Sequence, residues 1–273
     1  MGAVDLTFSA VDDLLNAHAR GKLAQCSTGI EFFPRQLGPL LEMCLYRSDG
    51  RLGPLFHSSW LSIDGQHPFR SALSGSADEW LGAERCQGFL RTVFTPLAEA
   101  NIPVRMRFLM AARRSAEEVT RLPASVAQCL TAALREMESN VYEHSARPES
   151  GVMAFNASTD HFEFVVGDSG VGVLATLREA PEFDGLNDHG RALQIALREG
   201  ASRYGGAANR GMGFKDLFLG LASLNANLRF RSGDHVLTIS GDQPSLKVAQ
   251  LSQKAFFPGF LISVRCNSTT ARP

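Results

Sequence analysis

The segment ASVAQCLTAALREMESNVYEHS, residues 124–145, constrains the fold more than any other part of the chain. Its apolar side chains recur at the spacing of an amphipathic α-helix, which places them on one stripe that should face the core. We expect a long helix here, with Ser125 as its N-cap. The stripe consists of Val126, Leu130, Ala133, Leu134, Met137 and Val141.

Two runs with a period of two follow the helix. GVMAFNAS and HFEFVVGD alternate as strands do and predict a hairpin that turns at Thr159–Asp160. A long stretch punctuated by glycines, about residues 173–210, contains the helical pattern GRALQIALREG and precedes a glycine turn and helix in GMGFKDLFLGLASLNA. NLRFRSG, HVLTISG and GFLISVR predict three more strands. This order favours an α+β fold, a two-layer α/β sandwich with a mixed, mainly antiparallel sheet.

The first part of the chain is rich in turn signals and is harder to interpret. RQLGPLLEMCLYRSDG predicts a helix and LFHSSWLSID a strand, so we assign residues 1–85 to a small α/β unit and residues 86–273 to the main domain. At their junction, GSADEWLGAERCQGFLRTVFTPLAEAN predicts a helix. IPVRMRFLM, which comes next, alternates like a half-buried strand.

Composition narrows the possible partners. Lys and Arg total 27 against 28 for Asp and Glu, so the formal net charge of the 273 residues is −1. That balance argues against a protein held mainly to nucleic acid or to an anionic membrane. We expect no membrane association, because no uncharged stretch has the length of a spanning helix and because Asp5, Asp12 and Asp13 lie where a secretion signal would be basic and then apolar.

The cysteines favour a reducing compartment. Their odd number and wide spacing fit neither a disulfide framework nor a metal site. We therefore expect reduced, mostly buried thiols in a cytoplasmic protein. The five cysteines are Cys26, Cys44, Cys86, Cys129 and Cys266.

Three polar residues share one face of the long helix. Glu136, Asn140 and His144 follow one another at intervals of four, so their side chains project in the same direction beside the apolar stripe. A solvated edge is the common explanation of such a trio. Asn140, however, is a poor residue for mid-helix, and an amide oxygen is a suitable ligand for Mg²⁺. A carboxylate one turn earlier would then orient or deprotonate a nucleophile.

Two glycine-bearing turns are the other candidates for a site. In GDSGVG, Asp168 ends a strand and could accept a hydrogen bond from an exocyclic amine, while Gly170 and Gly172 allow close approach of a flat ring. An ordinary turn explains the same composition. Gly211-Met212-Gly213 precedes a helix, where free N–H groups favour phosphate. Arg210 and Lys215 flank that turn, where they add positive charge or lie on the surface.

The order of these features, rather than any one of them, carries a resemblance. Over roughly residues 120–266 the chain resembles the GHKL superfamily of ATP-binding domains, which includes gyrases and histidine kinases and has the Bergerat fold. LREMESNVYEHS looks like the N box of that family, GDSGVG like its first glycine box and RGMGF like its second. The sequence departs from the pattern at Asn209, where the family has glycine, and at Phe260, where it has threonine.

The resemblance implies a role for each matching position and a ligand, ATP with Mg²⁺. Glu136 would act as general base or position the nucleophile, Asn140 would bind Mg²⁺, and Asp168 would bind the adenine amino group. Gly170 and Gly172 would shape the adenine pocket, residues 173–210 would form the ATP lid, and Gly211 and Gly213 the phosphate loop. Met212, His144, Arg210 and Lys215 belong to the same boxes or flank them.

Within the superfamily, the chain is most similar to stand-alone bacterial regulators such as anti-sigma-factor serine kinases. His18, His57 and His67 lack the sequence setting of a kinase phosphoacceptor. We therefore expect a cytoplasmic ATPase or protein kinase that transfers phosphate to water or to a serine of a regulatory protein partner. A non-catalytic, nucleotide-dependent binding module and an interaction domain that has lost its nucleotide stay open as alternatives. Homodimer formation and the role of residues 1–85 also stay open.

Overall fold

A computed structural model describes residues 2–22, 30–48, 78–91, 102–198, 217–218, 220–221 and 224–268. Within these ranges the longer helices are α1 (Phe8–Ala19), α2 (Leu37–Ser48), α3 (Ile102–Glu118), α4 (Ala124–His144), α5 (Gly172–Leu177) and α6 (His189–Ala196). The strands are β1 (Gly2–Asp5), β2 (Ile30–Phe33), β3 (Glu79–Leu81), β4 (Gln87–Arg91), β5 (Val152–Ala157), β6 (His161–Asp168), β7 (Asn225–Asp242) and β8 (Gln250–Asn267). None of these helices has the length and apolar character needed to cross a membrane.

Six of the strands form one sheet, in the order β3-β4-β5-β6-β8-β7. Every neighbouring pair in it is antiparallel, whereas β1 and β2 pair in parallel as a separate two-stranded sheet. The α+β class with an antiparallel sheet is thereby confirmed. The three strands predicted near the C-terminus are in fact two, because NLRFRSG and HVLTISG are parts of the continuous strand β7. The finer assignment to the Bergerat fold stays a prediction.

Helices cover both faces of the six-stranded sheet. Alternate residues of its central strands point to opposite sides, so that Phe155 and Phe164 join one apolar cluster while Ala154 and Val165 join another. The first cluster contains the apolar stripe of α4 together with residues of α3. The second contains residues of α1 and α2. The N-terminal segment therefore adds a third layer to the expected sandwich.

Periodicity identified several elements correctly. The predictions of α2, α4, α6 and the β5–β6 hairpin are confirmed. The N-cap prediction is wrong, because α4 begins at Ala124 with Pro123 before it and has no side-chain cap. The strand predicted in LFHSSWLSID, residues 55–64, lies outside the described residues.

Two secondary-structure predictions near the junction of the two predicted units are wrong. The predicted helix over residues 75–101 contains β3 and β4 instead, and the predicted strand over residues 102–110 is the beginning of α3. Gly88 explains the first error, since a Cβ there would lie 2.4 Å from Cε1 of Phe155 in the neighbouring strand. In α3 the buried Phe108, Leu109 and Ala112 continue a helical period that a nine-residue window is too short to reveal.

A buried cluster of charges joins the N-terminal layer to the sheet. Arg229 of β7 contacts Asp12 of α1 at 2.7 Å and Glu42 of α2 at 3.0 Å. Arg231, fully buried in the same strand, contacts Asp12 at 2.8 Å and donates to the hydroxyl of Tyr46 at 2.7 Å. Burial opposes ionisation of Asp12, but Arg229, Arg231 and Lys254 together outweigh it, and the pKa of this carboxyl is lowered. Each buried carboxylate of the cluster is therefore in contact with cations, and Lys254 adds a further pair with Asp12 at 3.1 Å.

Removing one member of this cluster should be costly. Arg231→Met should lower the free energy of unfolding by about 3–5 kcal/mol, because it removes a fully buried cation that pairs with both Asp12 and Glu42. Urea denaturation at neutral pH measures the change. The control is Arg35→Met, which breaks an exposed pair with Asp5 and should cost less than about 1 kcal/mol. Equal losses in the two variants would contradict the assigned role of the cluster.

Candidate functional site

Asp168 is the last residue of β6, an interior strand of the sheet, and lies opposite Phe260 of β8. Only 4% of it is exposed. The N–H of Gly170 donates to its Oδ1 at 2.8 Å, and the backbone of Phe260 provides another hydrogen bond. Burial outweighs these bonds and raises the pKa of the carboxyl to about 6. Among the described residues, no basic side chain forms an ion pair with it.

The glycines of GDSGVG are required by the packing of the protein itself. A Cβ on Gly170 would lie 2.0 Å from the backbone oxygen of Ser145. Gly172 has φ +77°, and a Cβ there would lie 2.8 Å from Oγ of Ser232. Only glycine tolerates this combination of close approach and backbone conformation. Sequence reasoning assigned the two glycines to the approach of a ligand, and that contact with adenine stays a prediction.

Hydrogen bonds attach this turn to the end of α4. The N–H of Val171 donates to the oxygen of Ser145 at 2.9 Å, and the hydroxyl of Thr176 donates to the oxygen of His144 at 3.0 Å. The turn and the C-terminal end of α4 are thereby adjacent. The glycine turn and the last residues of α4, His144 and Ser145, are therefore in contact although a hairpin separates them in the chain.

The polar face of α4 forms as expected. Glu136, Asn140 and His144 lie on successive turns of the helix, and each is partly buried. The amide Nδ2 of Asn140 contacts Sδ of Met137 at 3.9 Å, a weak hydrogen bond within the helix. Asn140 thus combines a contact to the core with a polar group at the surface of α4.

The predicted phosphate loop lies outside the described residues. The residues concerned are Arg210, Gly211, Met212, Gly213 and Lys215. Of the predicted lid, residues 173–198 are described, and they contain most of α5 and all of α6. The side chain of Asp188 caps α6 by accepting from the N–H of Arg191 at 2.6 Å. Gly190 of this helix packs against His235 and Leu251, so α6 lies on the β7–β8 hairpin.

The Mg²⁺ ion expected beside α4 stays a prediction. Within the described ranges, no three His, Cys, Asp or Glu side chains are grouped as a resident metal would require. Mg²⁺ commonly takes one or two protein oxygens and completes its shell with phosphates and water. The amide oxygen of Asn140 has the right chemistry to hold it, and the ion would neutralise phosphate charge there.

Sequence reasoning missed Ser232 and Gly259. The backbone of Gly259, with φ +81°, lies so close to Asp168 that a Cβ there would be 2.7 Å from the carboxyl Oδ1. Ser232 connects this residue to the glycine turn through its hydroxyl. The dipeptide Pro258–Gly259 inside a strand pattern was an available signal, because it is typical of a bulge. Nothing in the sequence around Ser232 distinguishes it from other strand serines.

Three kinds of comparison, with models of protein families, with curated proteins and with solved structures, find no match to this chain. The geometry described above is therefore the basis for any functional interpretation.

The buried carboxyl of Asp168 should reduce the stability of the protein near neutral pH. Between about pH 4 and 6 the folded protein binds more protons at this position than the unfolded chain, so stability falls as pH rises through that interval. Asp168→Asn removes the ionisation. It should raise the free energy of unfolding at pH 7 by about 1–3 kcal/mol and should change it little near pH 4.

Urea denaturation of both proteins at the two pH values measures this difference. Asp13→Asn, which alters an exposed aspartate of α1, is the matched control and should change the free energy of unfolding by less than about 0.5 kcal/mol. If Asp168→Asn were less stable than the wild type at pH 7, the ionised carboxylate would stabilise the fold, which contradicts this prediction.

Proposed function

We propose that this chain binds ATP with Mg²⁺ in a GHKL-type site and acts as an ATPase or protein kinase in cytoplasmic signalling. The observation that carries the proposal is the environment of Asp168. A carboxyl group that is 4% exposed, with a pKa raised to about 6, lies at a strand end beside a glycine turn. Ionisable groups with strongly perturbed pKa values cluster at functional sites.

The chemistry of this carboxyl suits adenine. With a pKa of about 6 it is ionised at neutral pH, and an ionised carboxylate is only an acceptor of hydrogen bonds. The exocyclic amine of adenine is a donor and would supply a partner for the buried charge. A purine with an oxygen at that position would bring two acceptors together. The site therefore favours a base with an amino group.

The polar face of α4 supports the assignment of the phosphate end. Val171 and Thr176 tie the glycine turn to the end of α4 at 2.9 and 3.0 Å. Asn140 lies about one turn before this end and Glu136 about two turns before it. The spacing suits a nucleotide whose base reaches Asp168 and whose phosphates extend along the helix toward Asn140 and its Mg²⁺.

In this proposal the chemistry rests mainly on positioning. Asn140 would hold Mg²⁺, which neutralises charge on the phosphates. Glu136 would orient a water molecule or a partner serine and accept its proton as the γ-phosphoryl group is transferred. The acceptor, water or serine, separates an ATPase from a protein kinase.

A nucleotide-dependent switch without catalysis is the second candidate, and one observation favours it. Arg231, in the charge cluster that holds the N-terminal layer, is next in sequence to Ser232, which hydrogen-bonds to the glycine turn. A regulatory partner that engages α1 or α2 would thus act on a strand that borders the site. In this form of the proposal, ATP selects one arrangement of the protein and thereby changes partner affinity.

Calorimetric titration with ATP and Mg²⁺ tests the proposed site. The wild type should bind, and Asp168→Asn should bind at least about tenfold more weakly, because the amide presents N–H groups as well as an oxygen toward the amine of adenine. Asp13→Asn, the exposed aspartate variant, should bind like the wild type. Absence of binding by the wild type at millimolar ATP would refute the proposal.

Measuring phosphate release by Glu136→Gln distinguishes an ATPase or kinase from a non-catalytic, nucleotide-dependent switch. If Glu136 is the general base, this variant should still bind ATP while its turnover falls by about 10²–10⁴-fold. Glu118→Gln, a change of an exposed glutamate on α3, should keep full turnover. Unchanged turnover in Glu136→Gln would exclude the role of general base, and ATP binding without turnover in the wild type would favour the switch.

A further inference from the structure

Strand β8 contains a bulge directly beside Asp168. Ser232 of β7 pairs with Phe260, but the next residue, Gly233, pairs with Phe257, so Pro258 and Gly259 have no counterparts in β7. Bulges are frequent next to functional sites, where they redirect the backbone. This bulge brings Gly259 against the backbone and the carboxyl Oδ1 of Asp168, where a side chain would not fit.

The hydroxyl of Ser232 bridges the two chain segments that flank this carboxyl. It accepts a hydrogen bond from the N–H of Val173 at 3.0 Å and donates one to the oxygen of Gly259 at 2.7 Å. Ser232 is only 1% exposed, so water does not readily replace either partner. One oxygen atom therefore sets the distance between the glycine turn and the bulge.

We propose that Ser232 is the positioning residue of the adenine subsite, a role that rests on the proposed function. It does not touch the nucleotide. It acts through Gly259 and the segment Gly172–Val173, whose spacing determines how closely Asp168 is enclosed and where its carboxyl points. If adenine is recognised by one carboxylate, the orientation of that carboxylate should be fixed before the nucleotide binds. Fixing it only on binding would cost free energy and reduce affinity.

The proposal predicts effects beyond a loss of stability. Ser232→Ala removes both hydrogen bonds, which should let the turn and the bulge separate and admit water to Asp168. The pKa of Asp168, measured by carbon NMR of the side-chain carboxyl in the protein without nucleotide, should move down toward its ordinary value. Calorimetry should show ATP binding weakened by about tenfold.

Ser115→Ala is the matched control. Ser115 is also a buried serine, and its hydroxyl donates to the backbone oxygens of Arg85 and Ala111 at 2.7 Å each. It lies on α3, which lacks direct contact with the glycine turn among the interactions described above. Its loss should reduce stability without changing the pKa of Asp168 or the affinity for ATP. If Ser232→Ala does not fold, Ser232→Cys gives the same two readouts, because a thiol has similar volume and makes only weak hydrogen bonds.

The two readouts separate this proposal from the proposed function. If the wild type does not bind ATP, the proposed function fails, and the positioning role in an adenine subsite is overturned with it. If the wild type binds ATP but the serine variant keeps the pKa of Asp168, or binds within about twofold of the wild type, only the role of Ser232 is overturned. A lowered pKa together with weakened binding, absent in Ser115→Ala, is the expected result.

Discussion

Arg229 and Arg231 hold the N-terminal layer on the back of the six-stranded sheet, and the burial of the sheet depends on that contact. Asp12 and Glu42 approach these arginines within 2.7–3.0 Å from two different helices. With α1 and α2 on one face and α3 and α4 on the other, β6 is buried along nearly its whole length. The carboxyl of Asp168 at the end of that strand is therefore removed from water, which raises its pKa.

Close backbone contacts then determine the surroundings of this carboxyl. Gly170 approaches the end of α4, Gly259 approaches Asp168 itself, and Ser232 connects the glycine turn to the bulge of β8. None of these contacts neutralises the charge. Among the described residues, no basic side chain forms an ion pair with this buried carboxylate, so a hydrogen-bond donor on a ligand would supply a partner for it. This is the physical basis of the proposed adenine site.

The sequence was informative where structure is local. The 3.6-residue period of α4 and the two-residue period of β5 and β6 were sufficient to predict these elements. Asp168 was recognised as a candidate residue because it ends a predicted strand. Long-range contacts could not be predicted in this way. Arg229 and Asp12 are 217 residues apart, so no local pattern indicated the third layer. A side chain is excluded at Gly88 because of Phe155 in a neighbouring strand, and Ser232 is significant because of its two distant partners, so neither role is visible in the local sequence.

The most direct test of the central claim compares ATP with inosine triphosphate, which has an oxygen in place of the adenine amine. Both are titrated into the wild-type protein with Mg²⁺ at pH 7.5, where Asp168 is ionised. We expect ATP to bind and inosine triphosphate to bind about 10–100-fold more weakly, because the latter leaves the buried carboxylate without a donor. Equal affinities, or no binding of ATP, would contradict this claim.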